Sequence, residues 1–276
     1  MRTKRDGRLA LAIVAAVAVP ACASAVSTQR EVAMGMQASE EIEQELPILD
    51  DAEITTYVTE LGRRLVGAAG SSRDVPWQFR VVDTDQINAF ALPGGFIYVT
   101  RGLIEEADTM SELAGPLAHE IAHVEHRHGV EQMSRMQSTA LGATLAYVLL
   151  GREPGDLEQA ALGVGAGAVF ASYSRDDERE ADASAIEYTT SAGIDPSGLT
   201  RFFATLAAEE EERGVLERWF ATHPMTEDRL EATEAAIAAK PTAELQVDDP
   251  AFQRIKARLE SLPPPPAETA GGEDTQ

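Results

Sequence analysis

Apolar residues recur at helical spacing along most of this chain and switch to alternation over one short stretch near its middle. Residues 31–46 read as a polar-rich helix stopped by Pro47, and Asp50 or Asp51 caps a second. That second helix carries Ile54, Tyr57, Val58, Leu61 and Leu65 on one side and ends at Gly67 and Gly70. The period then changes. Trp77 to Val82 alternates, and Phe96 to Thr100 is β-branched and aromatic, so both read as strands. Pro93-Gly94-Gly95 turns the short run from Asn88 back onto the second of them, which predicts a hairpin. Helical spacing returns from Asp108, where Thr109 and Glu112 have capping-box spacing. An interior proline costs a helix about 3 kcal/mol, so Gly115-Pro116 predicts either a kink or a fresh start at Pro116. Two small-residue runs, 138–150 and 157–171, read as close-packed core helices, with a mobile flap as the alternative for the glycine-containing second run. A charged helix over 174–192, helices over 197–212 and 250–262, and one from Thr226 to Ala239 complete the pattern. The fold class expected is α+β: mainly helical, with a small sheet or hairpin. The proline-rich, then polar stretch 263–276 is expected to be disordered.

One helical run carries chemistry. Leu117-Ala118-His119-Glu120-Ile121-Ala122-His123-Val124 contains H-E-x-x-H. At about 100° per residue, His119 and His123 lie within about 40° of each other on one face, so both imidazoles can reach one small cation. Glu120 lies about 100° round, poorly placed as a ligand and well placed as a general base. This is the arrangement of a zinc hydrolase. A catalytic zinc takes three protein ligands. His126 shares the His119 face but points beside the metal, and His128 faces the other way, as a surface or capping residue. Glycine and histidine stand in the reverse of the order that a three-histidine site needs. A carboxylate of the charged helix is the better third ligand. Glu178 and Asp182 are spaced i, i+4, which suits a ligand with an aspartate behind it to orient a ligand histidine; Glu180 is the fallback. Arg229 is the candidate oxyanion donor.

Charge and composition narrow the setting. The formal net charge is -23 in 276 residues, which excludes nucleic acid and anionic membrane surfaces as electrostatic partners. With 44% hydrophobic residues the chain can bury a core. Arg2, Lys4, Arg5 and Arg8 precede an apolar run from Leu9 to Val19, too short for a membrane span, and small residues follow. That is the pattern of a secretory signal. Val19-Pro20-Ala21-Cys22 reads as a lipobox, so residues 1–21 would be removed and Cys22 lipidated. Ala23-Ser24-Ala25 would equally serve ordinary cleavage. Cys22 is the only cysteine, which rules out an intramolecular disulfide.

Taken in order, Asn88-Ala89-Phe90-Ala91-Leu92-Pro93-Gly94-Gly95, His119-Glu120-x-x-His123-Val124, Arg127-His128, Tyr173-Ser174-Arg175, Glu178-x-x-Ala181-Asp182 and Thr222-His223-Pro224 resemble the gluzincin family of CAAX prenyl proteases, heat-shock membrane proteases and BepA-like periplasmic peptidases. The resemblance covers roughly residues 30–260. It implies a zincin-like metallopeptidase domain over 27–262 and one zinc per chain on His119, His123 and Glu178. Glu120 would be the base, with Asp182 behind the ligands to orient a ligand histidine. It also implies that His223 can take the fourth zinc position and hold the enzyme inactive, and that the hairpin, through Asn88, Ala89 and Phe90, lines the substrate cleft. Gly115-Pro116 departs from the family pattern, and the membrane spans and C-terminal helical repeats of some branches are missing. The expected function is a zinc endopeptidase of the bacterial envelope, an outer-membrane lipoprotein of the periplasm that hydrolyses misfolded or unassembled polypeptides. The competing expectation is an envelope chaperone or assembly factor whose zinc is plugged by His223.

Overall fold

A computed structural model describes residues 26–135, 173–213, 223–224, 226–241 and 244–266. The signal and lipobox region, both small-residue runs and most of the expected tail therefore lie outside the described residues. The architecture is α+β and mostly helical around one small sheet. Helices α1 (Thr28–Glu45) and α2 (Ala52–Ala68) come first. Asp51, not Asp50, caps α2, accepting from the N–H groups of Glu53 and Ile54. Strands β1 (Gln78–Val82), β2 (Ala89–Leu92) and β3 (Phe96–Thr100) follow, then α3 (Arg101–Glu106) and α4 (Met110–Glu125). After the first gap come α5 (Arg175–Ser191), α6 (Ser197–Arg213), α7 (Glu227–Ala238) and α8 (Pro250–Ser261).

The strand order is β1-β3-β2, with β1 parallel and β2 antiparallel to β3. The expected hairpin is present around Pro93-Gly94-Gly95. Gly94 has φ +82° and a Cβ there would meet the Val32 backbone at 2.7 Å, so the turn needs glycine. Alternation along the strands divides the core. Phe79, Val81, Ile97 and Val99 face the main cluster shared with α2 and α4, while Phe96 and Tyr98 pack with Leu92 against Ala38 and Ile42 of α1. Tyr98 also meets Ser39 Oγ at 2.7 Å. The central strand is consequently buried along its whole length.

Helix α4 is one continuous helix with Pro116 inside it, so the chain does not start afresh at that proline. Thr109 is its N-cap, but the expected reciprocal capping box is absent. Instead the Thr109 hydroxyl contacts Glu112 Oε1 at 3.1 Å, and Glu112 Oε2 accepts from the Asp108 N–H. Gly115 has a packing role: a Cβ there would lie 2.7 Å from Leu199 Cα on α6. Among the described residues, no helix is long and apolar enough to cross a membrane.

Candidate metal centre

The site forms where α4, α5 and the segment before α7 meet. Every residue of α4 from Met110 to Val124 is buried, so His119, Glu120 and His123 enter the interior on an apolar support. Helix α5 starts at a capping box in which Ser174 and Asp177 satisfy each other's backbone N–H groups. Its buried stripe is Asp177, Glu178, Ala181, Asp182, Ala185, Ile186 and Thr189, which turns Glu178 and Asp182 inward together. His223 arrives from irregular chain just ahead of α7 and is 1% exposed.

Ligand atoms of His119, His123, Glu178 and His223 all lie within 4.8 Å of one another. The His119 and His123 Nε2 atoms are 3.0 Å apart, His223 Nδ1 is 3.3 Å from His119 Nε2, and Glu178 Oε1 is 3.0 Å from His223 Nδ1. Three imidazole nitrogens and a carboxylate oxygen converging in a buried spot are a donor set that fits zinc. Charge points the same way. The buried carboxyls of Glu120, Glu178 and Asp182 outnumber the one buried guanidinium, Arg229, an excess of acidic groups that suits a cation.

His119 is held from behind, with Nδ1 2.9 Å from Asp182 Oδ1. Burial alone would depress its pKa, but Asp182 and Glu178 outweigh burial and raise it to about 9. Burial also opposes ionised Glu178, yet His223, His119 and His123 hold its carboxyl well below the usual carboxylate range. His123 has its pKa driven well down, chiefly by burial. Glu120 is pushed up, again by burial, against the lowering influence of His223 and His119. Its Oε1 is 3.4 Å from His223 Nε2. The backbone of Ala91 on β2 adds a further lowering influence.

Several positions differ from the expectations. Each nitrogen of Arg229 already faces an acceptor: Nε and Nη2 meet Asp182, and Nη1 lies 2.5 Å from Glu178 Oε2 and 3.3 Å from the Pro224 carbonyl. It grips the carboxylates rather than standing ready for a developing oxyanion. Glu180, the fallback ligand, is on the outside of α5 and pairs with His126 and His128. His128 is not at the surface. It is 2% exposed, with Nδ1 2.9 Å from His123 Nδ1. Helical extrapolation fails here because α4 ends at Glu125, and Arg127, at φ +63°, breaks the helical path before His128.

Two residues had no role in the sequence reading. Tyr173 stacks on His123 at 4.0 Å between centroids and 20° between planes. Glu31, fully buried on α1, accepts from the Gly94 N–H at 3.1 Å and pairs with Arg73 at 2.6 Å and Arg127 at 3.0 Å. It pins the first helix to the hairpin turn and to the end of α4. A single glutamate in a polar helix carries no sequence signal for such a position. Strand β2 lies at the sheet edge, and among the described residues no strand pairs with its outer side. Asn88 leads into β2 with its backbone bonded to Thr100, and Ala89 is buried. The Phe90 ring stacks on Tyr98 at 4.8 Å.

The model of peptidase family M48 matches residues 52–237. The chain belongs to this family. Beta-barrel assembly-enhancing proteases of Yersinia pestis and Escherichia coli are each 32% identical to it, over 84% and 85% of this chain and 49% of theirs. The metalloprotease YcaL of Escherichia coli is 28% identical over 68% of this chain and 74% of its own length. The chain thus spans about half the length of the first two M48 relatives, and most of YcaL.

Proposed function

We propose that this chain is a zinc endopeptidase of the bacterial cell envelope, with one domain over residues 27–262 and one zinc held by His119, His123 and Glu178. The observation that carries this reading is the buried convergence of these donors, with Glu120 against them. A bound zinc ion supplies Lewis acidity toward water and a peptide carbonyl. Burial gives Glu120 the raised pKa of a group that can accept a proton from the attacking water and pass it to the leaving amine. Asp182 orients His119, and Arg229 balances Asp182 and Glu178. The edge strand β2, from Asn88 through Phe90, receives an extended polypeptide by strand addition, recognising backbone more than sequence. Such recognition suits misfolded or unassembled envelope proteins. The names of the beta-barrel assembly-enhancing relatives support that substrate class. Export and anchoring at Cys22 complete the proposal, giving a periplasmic outer-membrane lipoprotein that meets the membrane only through its lipid.

The test is purified Glu120→Gln. It should retain one zinc per chain while cleavage of an unfolded outer-membrane protein falls by about 10²–10⁴. Wild-type cleavage by that variant would sink the scheme.

His223 motivates a second reading, because it contributes a fourth donor to the cluster. As a standing ligand it would leave a chaperone or assembly factor with a closed site. His223→Ala should then raise proteolysis, scored separately from suppression of aggregation. If proteolysis does not rise, His223 is not a plug.

A further inference from the structure

We propose that His128 and Glu180 are the positioning pair for His123, as Asp182 is for His119. This inference rests on the zinc reading above.

The geometry sets out a directed chain of hydrogen bonds. His123 turns Nε2 toward the ligand cluster and Nδ1 toward His128 Nδ1, 2.9 Å away. A neutral imidazole that offers its Nε2 lone pair to a metal carries its hydrogen on Nδ1. His123 Nδ1–H therefore donates to His128 Nδ1. His128 must then carry its own hydrogen on Nε2, and that nitrogen lies 3.2 Å from Glu180 Oε2. A carboxylate can only accept there, so Glu180 fixes the tautomer of His128 and His128 fixes that of His123. Tyr173, stacked on the His123 face, limits tilting of the ring.

The backbone is shaped for this contact. Had α4 continued, His128 would face away from His123. The left-handed turn at Arg127 breaks the helical path, and Glu31 holds the Arg127 side chain at 3.0 Å. Glu180 is shared, since its Oε1 lies 3.4 Å from His126 Nδ1. His128 is buried, whereas the Glu180 side chain is 57% exposed, so the chain of bonds ends where a substitution leaves the core packing untouched.

The experiment uses full-length protein carrying His128→Leu, His128→Gln, Glu180→Ala, or His128→Leu with Glu180→Ala. Zinc affinity is measured by competition with a chromophoric chelator, and ligand geometry by the cobalt(II) absorption spectrum. His128→Leu should weaken zinc binding about 10–100-fold and alter the cobalt bands. His128→Gln, whose amide oxygen can accept from His123, should recover part of that affinity. Glu180→Ala should weaken binding by a smaller factor in the wild-type background and by none in His128→Leu, since the two act in series. Zinc affinity of His128→Leu within twofold of wild type would overturn the proposal, as would an equal Glu180→Ala effect in both backgrounds. Should His128→Leu fail to fold, Glu180→Ala decides alone, and unchanged affinity overturns the pair. If wild type binds no zinc, the metal reading falls as well; if it binds zinc and the variants match it, only this inference falls.

Discussion

Helices α4 and α5 each deliver an i, i+4 pair to one point, His119 with His123 and Glu178 with Asp182, but they enter the interior on opposite terms. Helix α4 is buried on every side from Met110 to Val124 and brings its own apolar surroundings. Helix α5 is mostly polar and buries a single stripe, two of whose members are the carboxylates themselves. A buried carboxylate is tolerated only when paired. The pairing comes from elsewhere: Arg229 of α7 and His119 for Asp182, and Arg229, His223 and His119 for Glu178. One helix is held by packing, and the other by charges that the rest of the chain provides.

Removing one proposed ligand from each helix should produce the largest effect and the same one. His119→Ala and Glu178→Ala are each expected to lose stoichiometric zinc after dialysis, by metal analysis, and to reduce proteolysis to background. Ordinary zinc content in either variant would break the equivalence of the two helices.

Arg229 separates them. Arg229→Leu leaves Glu178 and Asp182 buried without their cation and should destabilise the zinc-free protein by about 3–5 kcal/mol in urea unfolding. Arg229→Lys should recover only part, because one ammonium cannot reproduce the guanidinium fork. A loss below about 1 kcal/mol would mean that α5 does not depend on this charge. Added zinc should restore much of the stability of Arg229→Leu if the metal meets the same carboxylates.

The same contrast explains what could be read from the chain. That His119, Glu120 and His123 come together was legible because it follows from spacing within one helix. Glu178 and Asp182 were legible as a spaced pair, although a run such as Arg175-Asp176-Asp177-Glu178-Arg179-Glu180 ordinarily faces water. His223 could enter only through resemblance, since no local pattern places a residue 104 positions from His119 against it. His128 was misplaced because helical periodicity carries no information past a helix end, and Arg127 has no side-chain feature that announces a left-handed turn. The role of Arg229 was misjudged for the related reason that a guanidinium's partners are tertiary. The elements themselves were mostly legible, Pro116 being resolved only by the continuous α4.

Packing should matter more on the side of α4. Gly115→Ala would normally stabilise a helix by about 0.8–1.0 kcal/mol. Here the new Cβ meets the backbone of Leu199 at 2.7 Å, so one helix must shift and the net result should be a loss of about 1–3 kcal/mol, read from thermal unfolding. A gain in stability would show that the α4–α6 contact is softer than its geometry.

The smallest effect compares the two N-termini. Ser174 caps α5 through a reciprocal box with Asp177, and that box sets where the helix begins and hence where Glu178 points. Thr109, at the start of α4, makes no side-chain bond to a backbone N–H of its helix. Ser174→Ala should therefore cost about 1 kcal/mol, and Thr109→Ala only a few tenths. Ser174→Ala should also weaken zinc binding, because fraying of the first turn of α5 moves Glu178, four residues on. Thr109→Ala should leave zinc affinity unchanged, ten residues ahead of His119 on a fully buried helix. Equal effects of the two substitutions on zinc affinity would show that α5, like α4, is positioned by packing and not by its polar contacts.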